Sequence, residues 1–90
     1  MKIFKYNCQN IKDISMTCFC DVVVENDSLI FINKISSKVV KKRGNRYLLN
    51  IIAEKLNNRD KIATFKDILS LWRTDYEMVI AELLEMGYFE

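Results

Sequence analysis

The spacing of apolar residues changes once along this chain of 90 residues, near Gly44. Before that glycine, residues 16–25 alternate between two sets of side chains, which is typical of a strand with one buried face. After it, apolar residues recur at helical spacing. The pattern therefore predicts strands in the first half and helices in the second. The predicted buried strand face consists of Met16, Cys18, Cys20, Val22 and Val24.

Two predicted turns divide the first half into three strands. Asn26-Asp27 lies in the middle of a predicted hairpin over 16–33, and both residue types tolerate the positive φ of a tight turn. Ser36-Ser37 offers a second turn before a third strand at 38–42. That strand is apolar at its centre and basic around it, which suits the edge of a sheet.

Three helices are predicted after Gly44, over 46–57, 64–73 and 75–86, because apolar residues there recur at i, i+3, i+4 and i+7. Asn57-Asn58 ends the first helix, since asparagine side chains compete for backbone hydrogen bonds.

Local signals place the ends of the other two helices. Thr64 is the predicted N-cap of the second helix, and Thr74 with Glu77 forms a predicted capping box for the third. Gly87 supplies the left-handed residue that ends the third helix. Trp72 is expected to be largely buried on the second helix. Its expected neighbours are Phe65, Ile68 and Leu69.

These elements fit one domain, because a chain this short buries a single modest core. Residues 1–15 form an N-terminal extension or an extra strand, residues 16–43 the sheet, and residues 44–90 the helical part. The predicted fold class is α+β: a three-stranded antiparallel sheet followed by three helices, winged-helix-like with its strands first.

The composition argues against catalysis and cofactor binding. The chain has no histidine, the commonest general base and metal ligand. Its three cysteines fall short of the four ligands of a structural zinc site, and Cys18 and Cys20 are expected as buried, reduced thiols. With two glycines no phosphate-binding loop can form. We therefore expect no catalytic residues, no metal and no cofactor.

The sequence also bears on where in the cell the protein is found. No apolar run approaches the ~20 residues needed to span a bilayer. The N-terminus lacks the apolar region and cleavage site of a secretory signal. We expect a cytoplasmic protein without a membrane partner.

Charge is distributed unevenly, although the net charge is only +2. Residues 38–46 carry five bases and no acid, whereas residues 75–90 carry five acids and no base. In helix-turn-helix proteins the last helix of the motif enters the major groove. Here that helix is acidic and would be repelled by phosphate, so we expect no specific duplex binding.

The remaining candidate is the surface between the basic third strand and the acidic third helix. An edge strand exposes unpaired N–H and C=O groups, so an extended peptide could add to it as another strand. The alternatives are that residues 1–15 cover this edge, or that a second copy covers it in a homodimer.

Three segments resemble the PqqD-like family, peptide chaperones also described as RiPP recognition elements. Residues 21–31 look like the family's first hairpin. Val39-Val40 followed by residues 47–50 is similar to its third strand leading into a helix. Residues 83–90 look like its closing helix end. The resemblance covers residues 20–90.

The resemblance implies a function and a site. Members bind the leader segment of a ribosomally made precursor peptide and present it to a modifying enzyme in trans. The peptide would pair with the third strand and lie against the third helix. Carried onto this chain, the strand candidates are Lys38, Val39, Val40, Lys41, Lys42 and Arg43. The helix candidates are Tyr76, Val79, Ile80 and Leu83.

Three hypotheses follow from the sequence. The first is a peptide-recognition domain acting with an enzyme. The second is a winged-helix regulator that binds nucleic acid through the basic stripe. The third is a dimerising protein-interaction module.

Overall fold

The computed structural model describes residues 14–90, so nearly all of the predicted N-terminal extension or extra strand over 1–15 lies outside the described residues. Within the described residues three strands are followed by three α-helices, which confirms the predicted α+β class. A short 3-10 turn at Ile62–Phe65 precedes the second helix. The strands are β1 (Cys20–Glu25), β2 (Ser28–Asn33) and β3 (Lys38–Arg43), and the helices are α1 (Arg46–Asn57), α2 (Lys66–Trp72) and α3 (Tyr76–Glu85).

The sheet is antiparallel with β2 in the centre, so β1 and β3 are its two edges as far as residues 14–90 show. Both predicted turns are present. Asn26 (φ 58°) and Ser37 (φ 62°) take the positive φ that their turns require. Because side chains alternate along a strand, Val22, Phe31 and Val40 lie on the face that packs on the helices.

β1 begins later than the alternation predicted. A turn closed by the Cys20 amide and the Thr17 carbonyl (3.2 Å) separates residues 16–18 from β1. Cys18 is therefore exposed, and its expected burial beside Cys20 is wrong. Met16 instead bridges to Phe89 near the chain end.

One core joins the sheet to the helices and to the returning C-terminus. The rings of Phe31 and Tyr88 meet edge to face, with centroids 6.2 Å apart. Gly87 ends α3 with φ 88°, as predicted, and brings Tyr88 and Phe89 back into this core. The largest fully buried side chains include Phe31, Tyr88, Met16, Leu49, Leu56, Ile80 and Leu83.

α1 spans the predicted residues, whereas the starts of α2 and α3 differ from the prediction. Thr64 is not the cap of α2: it lies in the 3-10 turn, where its hydroxyl donates to the Lys61 carbonyl (2.6 Å). Thr74 is not the cap of α3 either, because the N-cap position is Asp75. Asp75 instead pairs with the Arg73 guanidinium at 2.8 Å.

Trp72 is only partly buried, contrary to the prediction. It is the last residue of α2, and its indole lies at the edge of the sheet, where Nε1–H donates to the Arg43 carbonyl (2.9 Å). Phe65 and Leu69 do lie in the core.

Across residues 14–90, none of the helices combines the length and the apolar character needed to cross a membrane.

Candidate functional site

The hydrogen bond at the end of β3 fixes which of its backbone groups face outward. The Gly44 amide donates to the Asp27 carbonyl at 2.9 Å, so Ser28 and Arg43 form a non-hydrogen-bonded pair. Pair types alternate along an antiparallel ladder. The N–H and C=O groups of Val39, Lys41 and Arg43 therefore point away from β2, out of the sheet edge.

The opposite edge of the sheet, at β1, is occupied by side chains. The Asn57 carboxamide accepts from the Val22 amide (2.9 Å) and donates to the Val22 carbonyl (2.8 Å). It satisfies both outward groups of Val22, much as a neighbouring strand would.

Arg59 occupies the same edge at the start of β1, beside Cys20. Its Nη2 donates to the carbonyls of Cys20 (2.8 Å) and Cys18 (3.1 Å). The guanidinium also lies 3.6 Å from the Asp21 carboxylate. Side chains at the end of α1 and just after it thus protect β1 from strand pairing, which is a common way to blunt a sheet edge.

The edge at β3 has no equivalent cover within the described part of the chain. Its Arg43 carbonyl receives the Trp72 indole N–H. The outward groups of Val39 and Lys41 have no hydrogen-bond partner among residues 14–90. Of the residues before β1 that the structure describes, Ser15 and Thr17 pair with Glu90 and Tyr88, and the Ile14 carbonyl accepts from the Ile62 amide. Among residues 14–90, a stretch of edge centred on Val39–Lys41 is therefore left without a backbone partner.

A groove of about 330 Å³ lies beside this edge, between β3 and α3. Val79 on α3 is buried in it, at 3 % exposure, whereas Met78 is 72 % exposed. The groove thus combines an apolar floor with a charged rim. Its lining residues are Lys42, Arg73, Asp75, Met78, Val79 and Glu82.

Two ion pairs form the rim. Lys42 Nζ lies 3.9 Å from Glu82 Oε1 and spans the groove from β3 to α3. Arg73 holds Asp75 with two hydrogen bonds, of 2.8 and 3.3 Å. These hydrogen bonds from Arg73 lower the pKa of the Asp75 carboxyl below its ordinary value. The rim charges are thus largely matched within the groove.

The opposite face of β3 carries unmatched positive charge. Lys41 has no ion-pair partner among residues 14–90, whereas Arg43 bonds to Asp27 at 3.0 Å. That hydrogen bond lowers the pKa of the Asp27 carboxyl. Each β3 carries four bases, so two copies paired edge to edge would bring eight bases together. The charge therefore disfavours self-pairing and favours an acidic partner.

The structure brings together only some of the residues expected from the sequence. Lys38, Val39, Val40, Lys41, Lys42 and Arg43 form β3 as a whole. Of the helix candidates, Val79 lines the groove. Ile80 and Leu83 are each 1 % exposed in the core and are unavailable to a ligand, and Tyr76 is partly buried against that core.

Sequence reasoning missed Arg73, Asp75, Met78 and Glu82. Apolar periodicity identified the buried stripe of α3, whereas Met78 and Glu82 lie beside that stripe and Arg73 and Asp75 precede the helix. The usable signal was Met78, an apolar residue outside the helical repeat.

Comparison of the chain with protein-family models, curated proteins and solved structures gives no match.

Proposed function

We propose that this protein is a peptide-binding module that accepts an extended segment as a fourth strand beside β3. The observation that carries the proposal is the contrast between the two edges of the sheet. Asn57 and Arg59 occupy the backbone groups of β1, whereas the outward groups of Val39 and Lys41 have no partner within residues 14–90. Backbone groups along an open edge can supply much of the affinity in strand addition.

The register of β3 indicates the chemistry of the ligand. Ligand residues paired with Val39 and Lys41 would project on the face that carries the Lys41 ammonium. The residues between them would project toward the groove, where Val79 and Met78 offer apolar contact. Opposite charges on facing strands stabilise pairing by about 0.2–1 kcal/mol. An extended segment that alternates acidic and apolar residues fits both faces.

The resemblance to PqqD-like recognition domains supports a specific biological reading. In that reading the segment belongs to the leader of a ribosomally made precursor peptide, and the complex is presented to a modifying enzyme in trans. We place this recognition in the cytoplasm, where the exposed Cys18 thiol stays reduced.

The test is calorimetric titration with synthetic peptides of about nine residues, long enough to exceed the six-residue strand. One peptide alternates Asp and Leu. Its control has the same composition with the acids grouped at one end, and a second control replaces Asp with Lys. We expect binding of the alternating acidic peptide only, with an affinity that falls as salt is raised.

Two substitutions at Lys41 separate backbone pairing from charge. Lys41→Pro removes an outward N–H but leaves the β2–β3 ladder intact, because proline is tolerated on the open side of an edge strand. Lys41→Gln removes the charge but keeps the N–H. We expect Lys41→Pro to lose affinity at least tenfold and Lys41→Gln to lose less, mainly through slower association. Equal losses would contradict strand addition, as would the absence of binding by the folded, unaltered protein.

A further inference from the structure

The Trp72 indole lies where a strand added to β3 would continue. The Arg43 carbonyl that accepts from Trp72 Nε1 at 2.9 Å is one of the outward groups of the edge. In a regular ladder that carbonyl would accept from the amide of a ligand residue. The indole therefore occupies the Arg43 carbonyl, which a ligand amide would need as its acceptor, and also fills the space beside it.

Contacts on two sides hold this indole in place. Gly44 packs so closely that a Cβ there would come within 2.5 Å of Trp72 Cδ1 and Nε1. The Arg73 guanidinium lies 5.8 Å from the ring centroid, within cation–π range. A ligand that displaced the indole would break these contacts and the bond to Arg43 in exchange for one ladder bond.

We infer that Trp72 is a stop that ends strand addition before Arg43 and thereby sets the register of the bound segment. The inference rests on the proposed function. The available edge runs from Lys38, where the turn at Ser37 ends, to Lys42. At about 3.3 Å per residue this edge accommodates about five ligand residues. The ligand residue opposite Lys42 is the last that can pair.

The stop is tested with a length series of alternating Asp/Leu peptides, from about three to about nine residues. For the unaltered protein we expect affinity to rise until about five residues and then to level off. Trp72→Phe removes the indole N–H, and Trp72→Leu also removes the ring. Trp72→Leu should continue to gain affinity with longer peptides, about fivefold for each additional hydrogen bond, whereas Trp72→Phe frees the acceptor but keeps a ring beside Arg43 and should gain less.

A separate readout is independent of peptide affinity. The indole N–H of Trp72 should exchange slowly with solvent in the free protein and stay protected when peptide binds. Circular dichroism and thermal melting check that both Trp72 variants fold.

The possible outcomes distinguish a failure of the Trp72 inference from a failure of the proposed peptide binding. If peptides bind but the unaltered protein gains affinity across the whole series, the inference is wrong and the proposed function stands. The inference is also wrong if the indole N–H becomes unprotected on binding. If no peptide of any length binds the folded protein, the proposed function fails and the stop fails with it.

Discussion

Replacing Asn57 tests whether a side chain closes the β1 edge. In the unaltered protein the Asn57 side chain bonds to the Val22 amide at 2.9 Å and to the Val22 carbonyl at 2.8 Å. Asn57→Ala removes both hydrogen bonds. Each such bond contributes about 0.5–1.5 kcal/mol net. Alanine recovers about 0.5 kcal/mol of helix propensity in return. We therefore expect the free energy of unfolding to fall by about 0.5–2.5 kcal/mol.

Urea unfolding followed by circular dichroism measures this change, with Asn58→Ala as the matched control. Asn58 is the adjacent, exposed residue, and its backbone rather than its side chain caps α1. A third variant, Asn57→Asp, keeps an acceptor for the Val22 amide but places a carboxylate against the Val22 carbonyl. It should be less stable than the unaltered protein at neutral pH and recover as the carboxyl is protonated in acid.

The uncovered edge should also change how the protein associates. An unprotected edge strand is a template for pairing with another chain. Sedimentation should therefore show concentration-dependent association of Asn57→Ala and none of Asn58→Ala. The reasoning is refuted if alanine at the two positions gives the same unfolding free energy and the same sedimentation.

Three further substitutions probe the packing around the site. Thr17→Val should raise the unfolding free energy by about 1 kcal/mol, because the buried Thr17 hydroxyl has no hydrogen-bond partner among residues 14–90; a loss of stability in thermal melts would contradict this. Tyr88→Phe removes the bond to the Lys38 carbonyl (3.2 Å) and should cost about 1 kcal/mol. Burial raises the pKa of Tyr88 above 10.0, so the unaltered protein should lose stability as pH rises past that value, and the phenylalanine variant should lose less. Gly44→Ala should displace the Trp72 indole and shift its fluorescence, and an unchanged spectrum would show that the close packing is absent.

The sequence predicted the elements because each depends on local signals. The change of period near Gly44 separates strands from helices, and Asn26 and Ser37 lie where turns need positive φ. The prediction was wrong where the same residues fit either a continuing strand or a turn. The alternation from Met16 onward continued through a turn, so Cys18 was assigned to a buried face although it is exposed.

The candidate site was only partly predictable because its features come from long-range contacts. Asn57 and Val22, which close one edge, are 35 positions apart, and Arg59 and Cys18 are 41 apart. Periodicity cannot reveal such contacts. Nor could it separate Val79, which lines the groove, from Leu83 on the same apolar stripe, which belongs to the core.

Amide hydrogen exchange with and without the alternating acidic peptide tests the central claim most directly. The open edge predicts that the amides of Val39 and Lys41 exchange more slowly when the peptide is bound. The amide of Val22, already bonded to Asn57, should be unchanged. Protection along β1 instead, or no new protection of Val39 and Lys41 while the peptide is demonstrably bound, would contradict the claim that β3 is the recognition edge.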